Sequence, residues 1–161
     1  MIVTPLFVVF LVVVFIVVWL FINTIDKRKW LTILVSLVLT PIVYFYLFYP
    51  MLNIFSSYHH EKHFDAEAWE AKPGLRYEMS NQIINDSLLI GKTKDEVETL
   101  LGKPEWFGWD ENLKANSNHK WNYNLGFEPG AFNSMQECIE LEFKNNKVEL
   151  IKPYQLEKTF E

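Results

Sequence analysis

The run His59-His60-Glu61-Lys62-His63 holds the densest set of metal-capable and proton-exchanging side chains in the sequence. If it is helical, His59 and His63 stand four apart on one face, a spacing that suits a transition metal. It is one residue short of the H-E-x-x-H zinc-hydrolase pattern, so His60 and His63 do not share a face. The plain alternative is a solvated polar collar. Both readings stay open on the sequence alone.

A second group is aromatic. Trp106, Phe107 and Trp109 stand close together just after Pro104. Exposed, they would form a protein-binding patch; buried, they would be core at a sheet edge. Trp69, Arg76, Tyr77 and Asp86 form another candidate patch, with core packing for Trp69 and a surface or capping charge for Arg76 as the plainer readings.

The remaining chemistry is sparse. No serine is flanked by the glycines of a nucleophile elbow. Gly91 and Gly102 bracket a helix instead of cradling a phosphate. Glu140 and Glu142 fall on the wet side of a strand, where solvent keeps carboxylates ordinary. Cys138 is the single cysteine, which excludes an internal disulfide and a cysteine-cluster metal site. No catalytic residue and no cofactor is expected.

These side chains must be positioned by two contrasting parts of a 161-residue chain. Nearly everything from Ile2 to Phe55 is apolar, and the rest has a soluble composition. The net charge is −5; the first sixty residues carry +2 and the remainder −7. An acidic domain without a basic stripe is a poor partner for nucleic acid.

Two transmembrane spans are predicted, about residues 2–22 and 30–49, within a hairpin of residues 1–57. About twenty apolar residues in a helix cross a bilayer core of about 30 Å. The first stretch has no basic start and no small-residue cleavage site, so an uncleaved span fits better than a signal peptide. Pro41 is expected to kink the second span. Trp30 at one end and Tyr44, Tyr46 and Tyr49 at the other fit interfacial belts. Lys27, Arg28 and Lys29 in the short link place it in the cytoplasm by the positive-inside rule, which puts the C-terminal domain outside an inner (plasma) membrane.

Residues 58–74 read as a juxtamembrane segment with a short helix, Phe64–Ala71, ended by Pro73-Gly74. The domain proper is then 75–161. Tyr77–Leu89 reads as one helix, with Met79, Ile83, Ile84 and Leu88 on one stripe. Thr93-Lys94-Asp95-Glu96 is a capping box opening a helix to Leu101, with Gly102 as a left-handed C-cap and Pro104 as a stop. The period then drops to two. Lys120–Leu125, Glu137–Lys144 and Lys147–Ile151 read as strands, with a tight turn at Asn145-Asn146 and a further strand over Trp106–Trp109. The fold class is α+β: two N-terminal transmembrane helices, then a two-layer domain of helices packed on an antiparallel sheet.

The run Leu89-Ile90-Gly91-Lys92-Thr93 through Leu101-Gly102-Lys103-Pro104 resembles the SmpA/OmlA, or BamE-like, domain family. Trp121-Asn122-Tyr123-Asn124-Leu125-Gly126 and Leu141-Glu142-Phe143-Lys144-Asn145-Asn146-Lys147-Val148 share the likeness, over roughly half of the chain. The resemblance implies an extracytoplasmic accessory module that binds proteins in the cell envelope and catalyses nothing. The chain departs from that family in its anchor, two spans in place of a lipidated cysteine. The leading expectation is a membrane-anchored protein-interaction module with a bilayer and an unidentified protein as partners. The alternatives are a subunit of a larger membrane complex and a metal-handling protein using His59 and His63.

Overall fold

The computed structural model describes residues 1–85 and 88–158. The chain divides into two compact units: Met1–His60 with Pro129–Ala131, and Glu61–Glu128 with Phe132–Glu161. The short helix before residue 75 belongs to the second unit.

In the first unit, α1 is Pro5–Ile25. The Thr4 hydroxyl accepts from the Phe7 N–H at 3.3 Å, and Pro5 takes the first helical position, where no N–H is required. The link closes tightly: the Arg28 guanidinium pairs with Asp26 at 2.7 Å. The Arg28 hydrogen bond holds the Asp26 carboxyl down at about 2.

The second helix is continuous from Lys29 to Phe55, six residues past its predicted end at Tyr49. It comprises α2 (Lys29–Val43), a π-helical turn (Tyr44–Phe48) and α3 (Tyr49–Phe55). The helix passes through Pro41, and its irregularity is the wide turn just before Pro50. A proline ring collides with the carbonyl four residues back in a regular helix, and a wider turn withdraws that carbonyl. Both helices are long and apolar enough to cross a membrane.

One feature of this pair is absent from the sequence reading. Thr32, Ser36 and Thr40 recur every four residues of α2 and are buried. Their hydroxyls donate back to the carbonyls of Lys29, Thr32 and Ser36 at 2.8, 2.6 and 2.7 Å. Small side chains with locally satisfied polarity let two helices approach closely, as membrane helix pairs do. Tyr44 continues the same stripe and is buried with Phe7, Val14 and Val18 of α1. It therefore faces the other helix and not outward.

The second unit is α+β. Four antiparallel strands form a meander in chain order: β1 (Trp106–Asp110), β2 (Ala115–Gly126), β3 (Met135–Lys144) and β4 (Lys147–Glu157). Asn145 and Asn146 both take positive φ, the backbone that a two-residue hairpin turn requires. On one face Trp121, Tyr123 and Leu125 of β2 meet Ile139, Leu141 and Phe143 of β3. Trp69, Met79, Ile83, Val97 and Leu101 from the helical layer cover them.

The helical layer holds the predicted capping box in full: α6 is Lys94–Leu101, with the Thr93 side chain and Glu96 bonded reciprocally. Two details differ. Gly102 has φ 78° and ψ −173°, so it leaves the helix through an extended positive-φ conformation and not through αL. Its carbonyl thereby accepts from the Tyr123 hydroxyl at 2.9 Å. The single helix predicted over Tyr77–Leu89 is a 3₁₀ helix, Pro73–Met79, followed by α5, Ser80–Ile84. Pro73 starts that element instead of ending the one before it, α4 (Ala66–Ala71). Proline suits the first position of a helix as well as the stop of the previous one.

Candidate functional site

The predicted patch of Trp69, Arg76, Tyr77 and Asp86 does not form. Trp69 lies in the core, and its indole donates to the Leu101 carbonyl at 3.1 Å. Tyr77 is buried as well. Arg76 is a buried clamp: it donates to the Trp69 carbonyl at 2.9 Å, the Asn124 carbonyl at 3.1 Å and Glu105 at 2.6 Å. Glu105 also accepts from the Asn124 N–H at 3.1 Å. The ion pair ties the 3₁₀ helix to β2 and the approach to β1, where a surface charge is predicted. Asp86 lies outside the described residues.

The histidine run is not helical, because the chain from Ser56 to Asp65 has no regular structure. A shared helical face for His59 and His63 therefore does not exist. His59 Nδ1 lies 3.1 Å from the Ser57 carbonyl, and Gln82 Nε2 lies 3.2 Å from His63 Nδ1. His60 is buried and not part of a solvated collar. Its ring stacks on Tyr49 at 4.4 Å, meets Phe7 edge-on at 5.1 Å and lies 3.5 Å from the Tyr44 hydroxyl. Among the described residues, no three His, Cys, Asp or Glu side chains are grouped to hold a metal.

Trp106, Phe107 and Trp109 are brought together, outside the core. They line a concavity of about 770 Å³ on the sheet, with Asn116, Asn122, Glu140, Lys152 and Tyr154 also at its surface. Phe107 is 44% exposed and Trp109 52%.

Strand register builds the floor. Trp106 pairs with Asn122, Asn122 with Glu140, and Glu140 with Lys152, which sets four side chains in one row across all four strands. Directly paired residues share a face of the sheet. The next row places Asn124, Cys138 and Tyr154 side by side. The register shifts between Phe107 and Trp109, around Gly108. A bulge there re-aims the aromatic side chains that follow. Gly108 leaves room that no other residue would: an added Cβ would collide with the Glu140 carboxylate and lie 3.0 Å from Asn122 Nδ2.

Part of this floor is a small polar network. The Tyr154 hydroxyl donates to Asn122 Oδ1 at 2.7 Å. Burial pushes the Tyr154 phenol upward, and the Trp106 side chain opposes that shift through a hydrogen bond. Burial also raises the Cys138 thiol to about 11, so it stays protonated and unreactive at neutral pH. Asn122 is 1% exposed, and its Nδ2 has no hydrogen-bond partner among the described residues. A buried amide donor left open normally marks a place for a water or a ligand.

Glu142 is not solvent-averaged, contrary to its reading as an ordinary carboxylate on the wet face. Glu142 pairs with Lys152 and lies 3.4 Å from Lys120. The Lys152 hydrogen bond holds the Glu142 carboxyl below its usual range. Glu140 meets Lys120 at 3.8 Å, the long end of an ion pair.

Sequence reasoning finds the β1 wall of this groove and misses the β4 wall. It ends β4 at Ile151, two residues short of Pro153. On an edge strand the missing N–H of a proline points to solvent and costs nothing, so β4 runs on to Glu157. The alternation of Lys120, Asn122 and Asn124 against Trp121, Tyr123 and Leu125 is the signal that could have found the floor.

Comparison with known proteins returns no matching family model, no matching curated protein and no matching solved structure.

Proposed function

We propose that this chain is a membrane-anchored, extracytoplasmic accessory module that binds a protein through the groove on the outer face of its sheet. The observation that carries the reading is the position of Trp106, Phe107 and Trp109. The three stand outside the core and border a concavity whose floor is already built from paired polar side chains, with Trp106 in the same row as Asn122. Interfaces concentrate their energy in such aromatic anchors.

Supporting the anchor are two apolar helices of 21 and 27 residues. The basic link, Lys27-Arg28-Lys29, favours a cytoplasmic turn, which leaves the domain on the far side of an inner (plasma) membrane. The reading is non-catalytic. The residues that define the domain, Thr93, Glu96, Gly102, Asn145 and Asn146, all serve caps and turns. The likeness to the SmpA/OmlA family belongs to this proposal too, as a likeness of accessory binding modules.

The test is crosslinking in intact cells with a photoreactive amino acid at position 109. A discrete adduct with one protein is expected from position 109 and not from position 149, an exposed site on β4 away from the groove. Adducts from both positions alike, or from neither, would remove the groove as an interface.

A further inference from the structure

The proposed binding site has a chemical bias that narrows its occupant, and the following rests on the reading of the groove as a protein interface. Three observations converge. The sequence from residue 61 onward carries a net charge of −7. Glu142 takes Lys152 and the closer approach of Lys120, which leaves Glu140 in the groove with a 3.8 Å contact to Lys120. Beside it, Asn122 Nδ2 is a buried donor without a partner among the described residues.

We infer that the groove takes an extended, basic segment of a partner protein, with one arginine side chain at Glu140. A ligand that completes this site must bring a cation to the carboxylate and a carbonyl oxygen to the Asn122 amide. One arginine residue in a peptide offers both, in its guanidinium and its backbone carbonyl. Arginine fits better than lysine. Its guanidinium is planar, meets a carboxylate through two parallel N–H donors, and stacks on an indole such as Trp109. A neutral ligand such as a sugar would leave the carboxylate with only its 3.8 Å contact to Lys120.

The Asn122 amide has two neighbours that set its orientation. The Tyr154 hydroxyl holds its Oδ1 at 2.7 Å, which turns Nδ2 toward Gly108 and Glu140. Gly108, lacking a Cβ, leaves that corner to the Glu140 carboxylate. The site therefore depends on a glycine, an amide and a carboxylate from three adjacent strands.

The test uses the full-length protein in mild detergent and two probes. One is the blocked pentapeptide acetyl-Ala-Leu-Arg-Leu-Ala-amide; the other carries Gln in place of Arg. Binding is followed by tryptophan fluorescence. Saturable binding of the Arg peptide is expected, with about tenfold or greater loss for the Gln peptide, as for truncation of one member of a desolvated charge pair. Affinity should fall as salt rises. Glu140→Gln should cost a similar factor while leaving the melting curve in place. Comparing the two peptides on the unaltered protein needs no variant to fold. Equal affinity for the two peptides, or no binding of either, overturns the inference. A single adduct from position 109 together with equal peptide affinities would reject the arginine site and leave the protein-binding reading standing. Loss of that adduct would reject both.

Discussion

Glycine shows at the residue scale how the same letter can do different work. Gly102 was legible in sequence as a helix exit, because a capping box, an apolar stripe and Pro104 surround it. Its conformation was not legible, because the Tyr123 hydroxyl that fixes its carbonyl comes from a strand 21 residues away. Gly126 carried no local signal at all. Its φ is +97°, and a Cβ there would lie 2.6 Å from the carbonyl carbon of Gly74 and 3.0 Å from its Cα. The space around Gly102 is open. Gly102→Ala should therefore cost about 1–2 kcal/mol, from backbone strain alone. Gly126→Ala should cost about 3 kcal/mol or more, because strain adds to a backbone collision. Denaturant melts of the two variants check the order; equal losses would mean that the close approach of Gly74 is not maintained in solution.

Strand pairing at the element scale explains why half of the candidate site was hidden. Alternation revealed which face of β2 and β3 is apolar, and those residues form the core as predicted. Alternation could not reveal what lies across a strand, since the row Trp106, Asn122, Glu140 and Lys152 exists only in the register of all four strands. The same register makes Glu142 an ion-pair partner of Lys152, and that pairing has a pH signature. The Glu142 carboxyl is held below its ordinary 4.5, so the folded state binds its proton more weakly than the unfolded chain does. Its contribution to stability is fully present above about pH 4.5 and is lost as the pH falls through the lowered value. Glu142→Gln should flatten the acid limb of the stability curve below about pH 5, with little change in slope near pH 7. Thermal melts from pH 7 down through the acid limb check it; an acid limb unchanged by the substitution would show that the pair does not hold in solution.

Over the whole molecule, the apolar first third and the acidic remainder separate cleanly, and composition alone made that division legible. Composition did not show where the second unit begins. Trp69 is the reason: a helix that looks juxtamembrane in sequence sends its one large side chain into the core of the domain. The small-residue stripe of Thr32, Ser36 and Thr40 was equally hard to see, because on a hydropathy scale three hydroxyls only dilute a span. The proposed topology makes a direct prediction. Alkaline phosphatase fused after Glu161 should be active, and a fluorescent protein exported unfolded at the same position should stay dark. The reverse pattern would put the domain in the cytoplasm. Moving Lys27, Arg28 and Lys29 to the flank near Ser57 should weaken or invert the orientation.

The central claim is that Trp109 belongs to an interface and not to the core, and one variant examined two ways tests it most directly. Trp109 is half exposed and lies outside the core cluster. Trp109→Ala should leave the melting temperature of the full-length protein nearly unchanged, because a surface truncation stays within about 0.5 kcal/mol. The same substitution should abolish co-purification of the protein crosslinked from that position, as loss of an anchor worth about 2 kcal/mol or more does. A variant that loses about 3 kcal/mol of stability would show Trp109 to be core. A variant that melts normally and still retains its partner in full would show that the groove is not where the partner binds.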